Sequence, residues 1–196
     1  MMSQQSLFDD LPAPPALTDR IFFAVSPDAG AIAGIAALTA ELKAQHGMRG
    51  RPIADAKLHA TLYNLGDHPG MPDAKVARAK EVAAALADIT APFTASFDTA
   101  QTFINRARNR PLVLVGGDGV IGVDALYQTL AKAMLKAGLP ANPASYTPHI
   151  TLLYDDVTLA PQPVAPIEWT VRELVLLHSQ IGQGQPYKVL GRWPLK

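Results

Sequence analysis

The residues whose types and spacing could do chemistry stand in two stretches. His149 and Thr151 lie in Thr147-Pro148-His149-Ile150-Thr151-Leu152-Leu153-Tyr154, and His59 and Thr61 in Lys57-Leu58-His59-Ala60-Thr61-Leu62-Tyr63. Successive side chains of a strand alternate between faces, so in each stretch the imidazole and the hydroxyl share one face while the aliphatic neighbours point to the other. Imidazole, with an unperturbed pKa of about 6.5, takes up and releases protons near neutral pH. A hydroxyl beside it can donate to an oxygen that gains charge. The two histidines lie 149 − 59 = 90 residues apart. One His-x-Thr-aliphatic match arises by chance in roughly one chain of this length in twenty, and two in a few per thousand. The repeat therefore predicts a two-fold site. Pro148 cannot donate to a sheet ladder and belongs at a strand's first position, which puts His149 at the strand's mouth, within reach of a ligand.

Other chemistries are poorly served. The chain has no cysteine, which removes disulfides, thiolate catalysis and cysteine-based zinc sites. A zinc site would need further ligands, and the nearest candidates are Asp155, Asp156 and His68. His68 sits between Asp67 and Pro69 in a turn-rich stretch and reads as an exposed loop histidine, so neither metal nor other cofactor is expected. Gly116-Gly117-Asp118-Gly119 lacks both the Lys-Ser/Thr ending of a phosphate loop and the dinucleotide glycine spacing, and reads as a turn.

The elements that must position the pair can be read in order. Residues 1–18, with Pro12, Pro14 and Pro15, look like a flexible leader. Arg20 to Val25 is a buried strand. Ser26 as N-cap with Pro27 at the first helical position opens a helix that carries Ile32, Ile35, Leu38 and Leu42 on one stripe and ends near Gly47. The first motif strand runs from Leu58 to Leu65. A second helix opens at Pro72-Asp73 and buries Val76, Ala79, Val82, Ala83 and Leu86. Phe93 to Phe103 alternates as a half-buried strand and is followed by the basic loop Arg106-Ala107-Arg108-Asn109-Arg110, with Arg49 and Arg51 elsewhere as further cations. Pro111 to Val115 is its hairpin partner. A third helix carries Val123, Leu126, Tyr127, Leu130 and Met134, with Gly138 as its left-handed cap. After the second motif strand, Pro161, Pro163 and Pro166 mark a loop, and Trp169 to His178 and Tyr187 to Trp193 are two strands joined at Gly182-Gln183-Gly184-Gln185. Hairpins mixed with helices argue for an α+β fold.

The two motifs, Arg20-Ile21-Phe22-Phe23-Ala24-Val25, Leu176-Leu177-His178-Ser179 and Gly191-Arg192-Trp193-Pro194-Leu195 together resemble the two-histidine (2H) phosphoesterases, and among them the bacterial RNA 2′,3′-cyclic phosphodiesterases, also called 2′-5′ RNA ligase-like proteins. The resemblance covers nearly all of the chain beyond residue 18. One departure is that the family often has Arg where Tyr154 stands. The resemblance implies two similar lobes of antiparallel sheet backed by helices around a central cleft, one histidine from each, in a single bilobal domain over residues 19–196. It implies that 2′,3′-cyclic phosphates at RNA or nucleotide ends are opened to 2′-phosphates without metal, with His59 as proton donor and His149 as proton acceptor. In-line displacement needs a base on the entering oxygen, an acid on the leaving oxygen and donors to the non-bridging oxygens, the task of Thr61 and Thr151. Two alternatives stand beside it: a 2′-5′ ligase running the same site backwards, and a non-catalytic RNA-end binding module, for which Arg would serve better than His.

Seventeen basic and seventeen acidic residues give zero net charge. Proteins that grip long nucleic acid usually carry a basic excess, so an RNA end or a small cyclic nucleotide fits better as substrate. A nucleobase beside the cyclic phosphate calls for an aromatic, either Tyr187 or Tyr154. Tyr154 lies five residues past His149, an odd offset that needs a bulge or a strand end to bring it round. Ser179 and Gln183 are candidates for hydrogen bonds to phosphate or base. No apolar run reaches the ~20 residues of a spanning helix, and the start has no signal-peptide pattern. A cytoplasmic monomer without membrane contact is expected.

Overall fold

The computed structural model describes residues 15–140 and 146–196. Its strands are β1 (Asp19–Val25), β2 (Ala60–His68), β3 (Phe93–Thr102), β4 (Arg110–Val115), β5 (His149–Asp155), β6 (Gln162–Val171), β7 (Glu173–Gln180) and β8 (Lys188–Pro194), and its helices α1 (Ala29–His46), α2 (Asp73–Ala87) and α3 (Ile121–Lys136). The strands form one antiparallel sheet in the order β6-β3-β4-β5-β2-β1-β7-β8. This is the expected α+β fold. β2 and β5 meet at the register pair Ala60↔Ile150, so the sheet divides there into two four-stranded halves, each carrying one His-x-Thr motif.

Burial follows from sequence. Ile21 through Val25 are all buried because β1 lies inside its half and is covered on both faces. On one side, the three helices and the sheet share a core that includes Ile21, Phe23, Phe97, Leu130 and Leu152. On the other, Phe22, Ala24, Val175 and Leu177 form a smaller cluster against which Tyr187 packs. α1 lies over β5 and β6, α2 over β7 and β8, and α3 touches β2, β3 and α2, so α3 spans both halves.

Several boundaries differ from the sequence reading. The N-cap of α1 is Asp28, whose carboxylate accepts from Ala31 N at 2.9 Å, and not Ser26; a carboxylate placed three residues before a free N–H satisfies it directly. Its buried stripe is Ala31, Ile35, Thr39 and Leu42, with Ile32 and Leu38 at the margin. Gly47 (φ 66°) and Gly138 (φ 71°) close α1 and α3 in the left-handed region, as expected. β6 includes both Pro163 and Pro166, and its register with β3 shifts between them, from Phe97↔Ile167 to Thr99↔Pro163, so Pro166 stands in a bulge. β6 is an edge strand paired only to β3, where a residue without N–H costs no ladder bond on the open side. Trp169 to His178 is two strands rather than one, since the chain leaves β6 at Arg172 and joins β7 in the other half. His68 is the last residue of β2, not a loop residue, because β1 pairs with β2 as far as Asp19↔His68. Gly116 and Gly119 sit against Ser96, where an added Cβ would come within 2.5 and 2.6 Å of its carbonyl, so close packing on β3 explains them. Of the proposed leader, residues 1–14 lie outside the described residues; Thr18 is tied to β2 through Thr18 N to His68 O at 2.9 Å.

Candidate active site

His59 stands one residue before β2 and His149 opens β5, so the central pair of strands delivers both rings to the line where the halves meet. Each ring is fixed in the same way. Nδ1 of His59 lies 2.7 Å from the carbonyl of Lys57, and Nδ1 of His149 lies 2.8 Å from that of Thr147. A carbonyl can only accept, so Nδ1 carries the proton on both rings and Nε2 is left to exchange protons. Nε2 of His59 is 3.0 Å from Thr61 Oγ1. The rings pack on aromatics, His59 with Phe22 (centroids 5.1 Å) and Tyr187 (5.5 Å), His149 with Phe103 (5.0 Å). Burial is the main reason the His59 pKa lies below the ordinary imidazole value of 6.5, with the nearby His149 pushing the same way and the hydrogen bond to Lys57 opposing.

His59, Thr61, His149 and Thr151 all line one cleft of about 250 Å³. Tyr154, Tyr187 and Ser179 line it as well. Gln183 does not; it is exposed on the turn before β8. Two matching bulges explain the arrangement. On β2, Thr61 faces Ala24 and Tyr63 faces Phe23, which leaves Leu62 without an opposite residue; on β5, Thr151 faces Val113 and Leu153 faces Leu112, which leaves Leu152 so. Each extra residue reverses the alternation. Leu62 and Tyr63 are therefore both buried, as are Leu152 and Leu153, and the residues after them, Asn64 and Tyr154, return to the cleft. The bulge that Tyr154 required is present.

Sequence reasoning did not propose five lining residues: Arg20, Phe22, Ile53, Lys57 and Asn64. Asn64 was available from the repeat itself, being five residues past His59 as Tyr154 is past His149. Arg20 is held by a two-pronged pair with Asp67, Nε to Oδ1 and Nη2 to Oδ2 both at 2.7 Å. Lys57 Nζ lies 5.6 Å from the Tyr187 ring centre and donates to Gly184 O at 2.8 Å. Burial raises the Tyr187 phenol pKa above its usual value. The residues weighed as zinc ligands are engaged elsewhere: Asp155 accepts from the backbone N–H groups of Arg49, Gly50 and Val157, Asp156 from that of Asn109, and His68 Nε2 meets Leu65 O at 3.1 Å. Among the described residues no three His, Asp or Glu side chains converge as a metal would require.

The family model described as "2'-5' RNA ligase superfamily" matches residues 25–183. No curated protein matches the chain. Among solved structures, Escherichia coli LigT in apo form is similar at 26% identity and a TM-score of 0.72, over 92% of this chain and 99% of that one. LigT complexed with 3′-AMP is similar at 28% identity and 0.71, over 91% and 99%. TT0787 of Thermus thermophilus is similar at 25% identity and 0.69, over 90% and 97%.

Proposed function

The chain belongs to the 2′-5′ RNA ligase superfamily, and from that membership we propose that it hydrolyses 2′,3′-cyclic phosphodiesters at RNA or nucleotide ends to 2′-phosphates. The observation that carries this reading is the pair of identically tethered imidazoles in one cleft, each with a threonine hydroxyl two residues on. Nε2 of His149 takes a proton from a water that attacks phosphorus. The bond from phosphorus to the 3′ oxygen breaks as the new one forms, and Nε2–H of His59 protonates the departing oxygen. Thr61 and Thr151 donate to the non-bridging oxygens. A proton donor must be charged when substrate binds, and burial of His59 works against that. The anionic phosphate arriving in the cleft works for it, since an opposite charge favours the protonated ring. The complex of the similar LigT with 3′-AMP supports a ligand of nucleotide size.

The test is incubation with adenosine 2′,3′-cyclic monophosphate in the presence of chelator, followed by phosphorus resonance. The expected product is the 2′-phosphate at undiminished rate. A substrate left intact, or a rate that returns only with added metal, would overturn the proposal.

A further inference from the structure

Tyr154 belongs to two depressions. One is the catalytic cleft; the other, of about 400 Å³, is lined by Arg49, Gly50, Asn109, Asp155 and Asp156 among others. The guanidinium of Arg106, on the loop between β3 and β4, lies over the same ring, 5.3 Å from its centre. This loop is tethered: Asn109 N donates to Asp156 Oδ1 at 2.6 Å, and Arg110 donates through Nε to Arg106 O at 2.9 Å and through Nη1 to Asp156 O at 3.3 Å. The two carboxylates in the depression are occupied by backbone N–H groups. Among the described residues neither Arg49 nor Arg106 forms an ion pair, whereas Arg20 and Arg192 both do. One cation without an ion pair thus lies over the Tyr154 ring and another lines the adjoining depression, the combination that tracks a nucleic-acid strand by its phosphate and its base.

We propose that the depression lined by Tyr154 and Arg49, with Arg106 over the Tyr154 ring, holds the nucleotide preceding the one that bears the cyclic phosphate. The inference rests on the reading of the cleft given above. It makes an RNA strand end of two or more nucleotides, rather than a cyclic mononucleotide, the preferred substrate. Net neutrality is compatible with this, since a local pair of cations engages one or two phosphates and not a long duplex.

The test compares adenosine 2′,3′-cyclic monophosphate with a hexanucleotide ending in a 2′,3′-cyclic phosphate, for wild type and for Arg49→Ala/Arg106→Ala. Wild type is expected to show a kcat/KM about tenfold or more higher on the hexanucleotide, falling as salt rises; the double variant should lose most of that advantage and about one to two units of salt slope. Binding of a labelled hexanucleotide ending in a 2′-phosphate, read by fluorescence anisotropy, should weaken in parallel. Equal kcat/KM on both substrates, or a hexanucleotide preference unchanged in the variant, overturns the inference while leaving the hydrolysis reading intact. If neither substrate is turned over, the hydrolysis reading fails, and the anisotropy decides the subsite separately: equal affinity of wild type and variant would sink it.

Discussion

His59 and His149 carry the same sequence signature but not the same surroundings. His59 is wedged between Phe22 and Tyr187 with Thr61 on its Nε2, and its pKa lies below 6.5 chiefly through burial. The sign for stability follows. Between the lowered folded value and the unfolded value of about 6.5 the unfolded chain binds more protons, so this stability is complete above pH ~6.5 and is lost as pH falls below it. The melting temperature should therefore drop on acidification through that window, and His59→Gln should drop less; parallel curves for the two proteins would show that His59 is not the group responsible. For activity, His59→Ala and His149→Ala should each lower kcat by about 10²–10⁴-fold, and Thr61→Ala or Thr151→Ala by about 10²–10³-fold at most. The pH profile assigns the roles. If His59 is the proton donor, the residual activity of His59→Ala loses its alkaline limb; loss of the acidic limb would instead make it the base.

At the scale of elements, the site depends on how the strand ends are held. Gly50 N donates to the Asp155 carboxylate, and a Cβ at Gly50 would lie 2.1 Å from the carbonyl oxygen of Tyr154. Gly50→Ala must therefore push the segment before β2 away from the end of β5, at a cost of about 1–3 kcal/mol, whereas Gly117→Ala meets nothing within 4 Å. Thermal unfolding of both variants checks this, with Gly50→Ala also expected to raise KM through the displaced Tyr154. Near-equal melting temperatures would mean the backbone there yields freely. The sequence made the helical stripes and the His-x-Thr alternation legible because these patterns are local. It hid the path of β6, since Pro163 and Pro166 read as a loop until their edge position is known. The bulges at Leu62 and Leu152 were hidden too: an apolar pair such as Leu152-Leu153 does not say which residue lacks a partner. Asn64 was missed for that reason, while Tyr154 was raised only on condition of a bulge.

Over the whole molecule, the repeat announced two halves but not how the chain is shared between them. β6 and β7 are neighbours in sequence and stand in opposite halves of the order, a non-local outcome that leaves no mark on local periodicity. Each half brings one histidine, so the chemistry depends on how rigidly the halves are joined. Besides Ala60↔Ile150, the join includes Tyr146 Oη, three residues before His149, donating to the carbonyl of Thr61 at 3.1 Å. The Tyr146 ring is braced by stacking on Tyr127 of α3 at 3.8 Å. Burial pushes its phenol well above the usual value, so it remains a donor at any working pH. Tyr146→Phe keeps the stack and removes one hydrogen bond, a loss of about 1 kcal/mol that should lower the melting temperature by about 2–4 °C. Because that bond ties the strand of Thr61 to the approach to His149, kcat should fall more than KM rises, the pattern of a group that sets alignment rather than ground-state affinity. Steady-state kinetics beside a melting curve separate the possibilities: a lowered melting temperature with unchanged kcat would mean that α3 and the Ala60↔Ile150 pair hold the two imidazoles in register without it.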